Sequence, residues 1–167
     1  IECHKNWGKQ ISTEYVKKYR GRPSRLLLSH TKVFCNNYKR QKIRFKRLTH
    51  RQVAKKLKLA VKKLTGDDVN IIYVKIPSKV NIYPKGKIIK IDPNSSFNTL
   101  DVKRLIAHEI NVHYLRYYNA SFTGIKILES GTSNYLETEE GLAVYNEELK
   151  GVLSRAQMFI YAGRVIA

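Results

Sequence analysis

Apolar and polar positions alternate along this chain in periods that change from helix to strand and back to helix. Gln10–Tyr19 has helical spacing and stops at Gly21-Arg22-Pro23, a combination that breaks helices. Thr49-His50-Arg51-Gln52 has the form of a capping box, which opens a helix running to Leu64. Val53, Leu57, Ala60, Val61 and Leu64 fall on one face of it, and Gly66 lies just past its end. Three strand-like segments follow, Asn70–Lys75, Lys79–Tyr83 and Lys87–Asp92. Pro84-Lys85-Gly86 joins the last two, Pro restricting φ and Gly86 free to take a positive φ in a hairpin turn. Asn98 or Thr99 then caps a long helix over Leu100–Tyr118, with Asp101 in its first turn. Two more helices are expected over Thr138–Lys150 and Leu153–Val165, and Ile125–Glu129 reads either way. The order of elements predicts an α+β fold.

Charge divides the chain where the pattern does not. Of 167 residues, 43% are hydrophobic and 27% charged, ordinary for a folded domain, but the net charge is +19. Residues 1–64 hold twenty Lys and Arg against two Glu, a balance of +18; residues 65–167 hold twelve against eleven acidic residues, a balance of +1. The expected organisation is therefore a basic N-terminal helical region, 1–64, ahead of a core, 65–167. A block of this kind attracts an acidic peptide, nucleic acid or an anionic lipid surface, or simply forms a solvated face. Only Cys3 and Cys35 are present, without CxxC spacing, which argues against a disulfide framework and for a reducing compartment such as the cytoplasm. The apolar runs are too short to span a bilayer, and Ile1–Gln10 does not read as a signal peptide.

The chemistry concentrates in His108-Glu109-Ile110-Asn111-Val112-His113, an HExxxH segment on the long predicted helix. Zinc is held by imidazole nitrogens at about 2.0–2.1 Å, and two histidines on one helix supply a pair. In HExxH the histidines are four apart and share a face. Here they are five apart, so steps of about 100° would separate the rings by roughly 140° on a regular helix. They converge only if the turn is widened into a π-type geometry, which occurs mostly at functional sites. Glu137-Thr138-Glu139-Glu140-Gly141 offers a third ligand, with Glu139 and Glu140 both eligible, Thr138 as a cap and Gly141 allowing close approach. Three protein ligands leave a fourth position for water, the catalytic arrangement. Glu109, beside a ligand but not itself one, is then the general base. A terminal carboxylate of a substrate would suit Arg104 or Arg116, with Asn119 a third candidate. Tyr135 and Tyr161 are candidates for oxyanion stabilisation. The strand Lys87–Asp92 is the candidate for pairing with an extended peptide. His4, His30 and His50 have no comparable partners and read as surface or core residues.

Arg104–Arg116, Asn119 and Tyr135–Ala143 together resemble the tubulin tyrosine carboxypeptidase family, which includes bacterial proteins named for a QEGLA motif. Its pattern is HEIGTH, a following LR or LT, an Asn, and a T-[EQ]-EGLA segment. This chain departs from it at Asn111-Val112, which stand where the family has Gly-Thr. The resemblance, specific over about Val69–Ala167, implies a zincin-like arrangement in which a small sheet lies beside the HExxxH helix. It implies Zn2+ held by His108, His113 and Glu140, selecting Glu140 over Glu139 because the preceding position is often Gln. It also implies that Glu109 is the base, that the domain continues past Ala167, and that the substrate is an acidic C-terminal tail such as that of α-tubulin, trimmed of its tyrosine. The competing expectation from the charge alone is a basic nucleic-acid-binding module whose metal site is vestigial or structural.

Overall fold

The computed structural model describes residues 22–39, 44–133 and 135–166. The helix expected over Gln10–Tyr19 lies outside them. The described elements fall into two compact units. In the first, α1 (Arg25–Asn37), capped by Ser24, packs with the C-terminal helix Arg155–Ile166, and Tyr38 stacks on Phe159 with ring centroids 4.5 Å apart.

The second unit, within Lys42–Ser154, carries everything else. After β1 (Arg47–Leu48) comes α2 (His50–Thr65), opened by the expected capping box. Thr49 accepts from the Gln52 amide, and the Gln52 side chain accepts from the Thr49 amide. It ends at Gly66, whose φ of 78° requires the left-handed conformation that costs glycine nothing. Val53, Leu57 and Val61 are buried as the periodicity implies, whereas Leu64 lies one turn too far along and is exposed.

β2 (Asn70–Tyr73), β3 (Val80–Tyr83) and β4 (Ile88–Ile91) form one sheet in the order β2-β4-β3, β4 running parallel to β2 and antiparallel to β3. The expectation that Lys87–Asp92 supplies an edge for an extended peptide is therefore incorrect. β4 is the central strand, and its backbone is already paired on both sides. The chain turns at Pro84–Gly86 as expected, but the positive φ falls on Lys87, at 50°, rather than on Gly86. Lys87 Nζ bonds Asp67 Oδ1 at 2.5 Å, tying that turn to the end of α2.

β5 (Phe97–Asn98) pairs antiparallel with β1 and leads into α3 (Thr99–Leu105). Asn98 is the cap, accepting from the amides of Leu100 and Asp101, and the Asp101 carboxylate accepts from the Asn98 amide in return. The helix continues through a nine-residue π-helical segment, Ile106–Tyr114, into α4 (Leu115–Ser121). Ile125–Glu129, which sequence left open, lies largely within a short helix, α5 (Lys126–Ser130). α6 runs Tyr135–Leu149 and α7 is the Arg155–Ile166 helix. α6 starts before the Thr138 expected to cap it, so Thr138 is an exposed residue inside the helix.

One apolar core joins these pieces: Val53, Leu57 and Val61 of α2, Val80, Ile89 and Ile91 of the sheet, Val102 and Leu105 of α3, and Ile110 and Tyr114 of the π segment. The Tyr114 hydroxyl donates to Asp67 at 2.9 Å, and burial together with that bond raises its pKa. The mixed helices and sheets make the fold α+β, and α2 belongs to the same core as the long helix.

Candidate metal centre

The π-helical segment is what brings the two histidines together. Bonding from i to i+5 widens the turn, so residues five apart come nearly into register along the helix axis. The rings of His108 and His113 lie with centroids 5.1 Å apart and planes tilted by 59°. This is the widened turn that the five-residue spacing demands. Ala107, Ile110, Val112 and Tyr114 of the same segment are buried. The segment is thus held from behind by apolar packing while its histidines face the other way, half-buried.

α6 packs across that face. Glu140 meets both rings: Oε2 lies 3.3 Å from His108 Nε2, and Oε1 lies 3.4 Å from His113 Nε2. One ligand atom from each of these three residues lies within 4.8 Å of the other two, and among the described residues this is the one cluster of three that could hold a metal ion. Two imidazoles and a carboxylate are a donor set of the kind that suits zinc. Further support is that the opposite nitrogen of each ring is already occupied. His108 Nδ1 is 2.7 Å from Glu147 Oε1, and His113 Nδ1 is 3.2 Å from Glu139 Oε1. With Nδ1 of both rings engaged, Nε2 of both is turned toward Glu140.

Each outer carboxylate has its own arginine from the histidine-bearing helix. Arg104 Nη1 is 3.5 Å from Glu147, and Arg116 Nε donates to Glu139 at 2.6 Å. Glu139 and Glu147 are buried, Glu147 completely. Glu147 Oε2 is a buried oxygen with no hydrogen-bond partner among the described residues. Asn146 donates to the Ala107 carbonyl at 2.6 Å, and the fully buried Ala143 fills the remaining contact. Gly141, expected to allow this approach, does not do so: a Cβ there would meet nothing within 4 Å, and the residue is exposed. The close packing is at Ala143, two residues later.

Glu109 sits half-buried between the histidines in sequence. Burial pushes its carboxyl above the usual carboxylate range, against the opposing pull of His108 and His113, and Glu140 adds to the rise. Burial alone would pull His108 down. The hydrogen bond that His108 donates to Glu147 and the charges of Glu109, Glu147 and Glu140 outweigh it, and the net shift is upward.

The remaining sequence candidates are dispersed. Arg116 is occupied by Glu139 and by the carbonyls of Leu128 and Glu129, at 2.8 and 3.1 Å from its Nη1. Its guanidinium lies 5.1 Å from the centre of the Tyr135 ring. Arg104, with part of its side chain exposed, makes the single 3.5 Å ion pair with Glu147. Asn119 is exposed, and its carbonyl accepts from the Phe122 amide in the turn after α4. Tyr161 lies on α7 in the other unit, with Arg164 over its ring. His30 is exposed, and His50 packs edge-on against Tyr73.

Sequence reasoning missed Glu147 and Asn146. The signal for Glu147 was present: seven residues after Glu140 is almost two full turns, about 20° from the same helical face. A ligating histidine also nearly always engages its second nitrogen.

A family model described as microtubule-associated tyrosine carboxypeptidase matches residues 17–167. No curated protein and no solved structure matches the chain. Among the described residues, no helix is long and apolar enough to cross a membrane.

Proposed function

This chain belongs to the microtubule-associated tyrosine carboxypeptidase family, and on that premise we propose that it carries the metal site of a zinc-dependent carboxypeptidase. The reading is that it removes a C-terminal residue, tyrosine by family precedent, from an acidic protein tail such as that of tubulin, in the cytoplasm. The observation that carries it is the convergence of His108, His113 and Glu140 on one point above a π-helical turn that also bears Glu109.

His108, His113 and Glu140 are the residues that would hold Zn2+. When bound, the ion supplies Lewis acidity, polarising the scissile carbonyl and lowering the pKa of water to about 7. Glu109 accepts a proton from the attacking water and returns it to the departing amine. Its burial suits that task, because raising a carboxyl's pKa makes the carboxylate a stronger base. Of the two arginines, Arg104 is the better receptor for a substrate's terminal carboxylate, since one ion pair leaves most of its five donors uncommitted and Arg116 already serves Glu139 and two carbonyls.

The basic surface supports an acidic partner. Arg51, Lys55, Lys56, Lys58, Lys62 and Lys63 are all exposed on α2, so an acidic tail is drawn toward the unit that carries the site.

The test is metal content. The purified chain should bind about one zinc per molecule. His108→Ala, His113→Ala and Glu140→Ala should each abolish stoichiometric binding while leaving the protein folded. Zinc retained in all three variants rules the site out.

A further inference from the structure

The residues that hold the two imidazoles from behind form a repeated unit. Glu147 stands behind His108 at 2.7 Å and is approached by Arg104, four residues before that histidine. Glu139 stands behind His113 at 3.2 Å and is held by Arg116, three residues after it. Both carboxylates come from α6 and both arginines from the long helix, so two Arg–Glu–His chains run inward and end at Nε2 atoms facing Glu140. Neither outer glutamate is placed by chance at a surface: both are buried, and burying a carboxylate is costly unless its partners compensate.

We propose that Glu147 is a positioning residue that fixes the Nδ1-protonated tautomer and the ring orientation of His108. The nitrogen that carries the proton is set by the bond the other makes. Carboxylates face both nitrogens of His108 and can only accept, and the 2.7 Å hydrogen bond of Nδ1 to Glu147 outweighs the 3.3 Å approach of Nε2 to Glu140, so Nδ1 donates and Nε2 keeps its lone pair toward the metal position. Glu147 is completely buried at that distance, whereas Glu139 gives its Oε1 to Arg116 and only approaches His113, at 3.2 Å. For its consequence at the metal, the inference rests on the zinc reading above; the tautomer itself does not.

Two measurements on the same variants separate the ideas. Long-range proton–nitrogen spectra of the imidazoles, taken on metal-free protein at a pH high enough to deprotonate the His108 ring, report its tautomer directly. Wild-type protein should show His108 protonated on Nδ1. Glu147→Ala should convert it to a mixture. Glu147→Gln, whose amide oxygen still accepts, should keep His108 as in wild type. Zinc affinity from chelator competition should fall about 10–100-fold in Glu147→Ala and less in Glu147→Gln. A His108 ring protonated on Nε2 in wild type would overturn the proposal, and this test survives even if Glu147→Ala does not fold. A Glu147→Ala variant that folds and leaves the His108 ring unchanged would overturn it equally. The expected tautomer in a wild-type protein that binds no zinc would uphold the positioning and sink the metal reading instead.

Discussion

α2 and α6 are helices of similar length that pack against the same π-helical segment, and they are built in opposite senses. α2 buries Val53, Leu57 and Val61 and turns its lysines to solvent. α6 buries Glu139, Ala143 and Glu147 and leaves Leu136, Leu142, Tyr145 and Leu149 exposed, the last at 64%. The first is what hydrophobic burial produces when stability is the only requirement. The second spends buried positions on carboxylates, which is intelligible if those carboxylates have a task. One side of the long helix is thus scaffold, and the other is site.

The contrast is broken most severely at the ligands themselves. Replacing His108, His113 or Glu140 by Ala should remove metal binding altogether, as read by zinc content, while the circular-dichroism spectrum stays folded. On the scaffold side, Leu57→Ala removes a fully buried side chain. Chemical denaturation should show a loss of about 2–5 kcal/mol. Leu142→Ala on α6, at an exposed position, should change stability by no more than about 0.5 kcal/mol. If Leu142→Ala destabilises as much as Leu57→Ala, α6 is packed as scaffold in solution and the comparison fails.

That division explains what could be read in advance. The ends of α2 were legible because they depend on local chemistry: a Thr49–Gln52 reciprocal cap and a glycine with positive φ. The strands and the widened turn at His108–His113 were legible for the same kind of reason, the latter because five-residue spacing permits convergence in no other helical geometry. α6 was not. Its start was assigned to Thr138 because Thr before acidic residues is a capping pattern, but the helix forms against the π segment and begins three residues earlier. Gly141 was expected to make the close contact because it lacks a side chain, yet the contact is set by which face turns inward, and that face carries Ala143. Glu147 was not singled out, because nothing local sets it apart from the carboxylates that usually lie at a surface. Strand order was likewise invisible, because the hydrophobic runs of β2, β3 and β4 do not reveal which lies in the middle.

Smaller effects sharpen the comparison on its scaffold side. Asp67 accepts hydrogen bonds from Lys87 and Tyr114, and the Lys87 bond is the main cause holding its carboxyl below the usual range. Its folded pKa is depressed, so its stabilisation is fully present above the ordinary carboxylate pKa of about 3.9 and is lost as pH falls through the folded value. Asp67→Asn should therefore flatten the acid limb of stability against pH, measured by thermal melts from neutral pH downward. An unchanged limb would mean that the pair contributes nothing. Smaller still, neutralising lysines within Lys55–Lys63 should slow association with a Glu-rich peptide, more than it speeds dissociation. Wild-type binding should weaken with salt as the screening length shortens to about 8 Å near physiological ionic strength. An unaltered association rate would leave the α2 lysines as a solvated face.

The central claim is that the polar side of the long helix does chemistry rather than merely holding a metal, and Glu109 tests it most directly. Glu109→Gln preserves shape and removes the base. With a peptide that ends in tyrosine behind acidic residues, cleavage should fall about 10²–10⁴-fold with zinc content unchanged. Cleavage at the wild-type rate by a zinc-loaded Glu109→Gln variant would contradict the account.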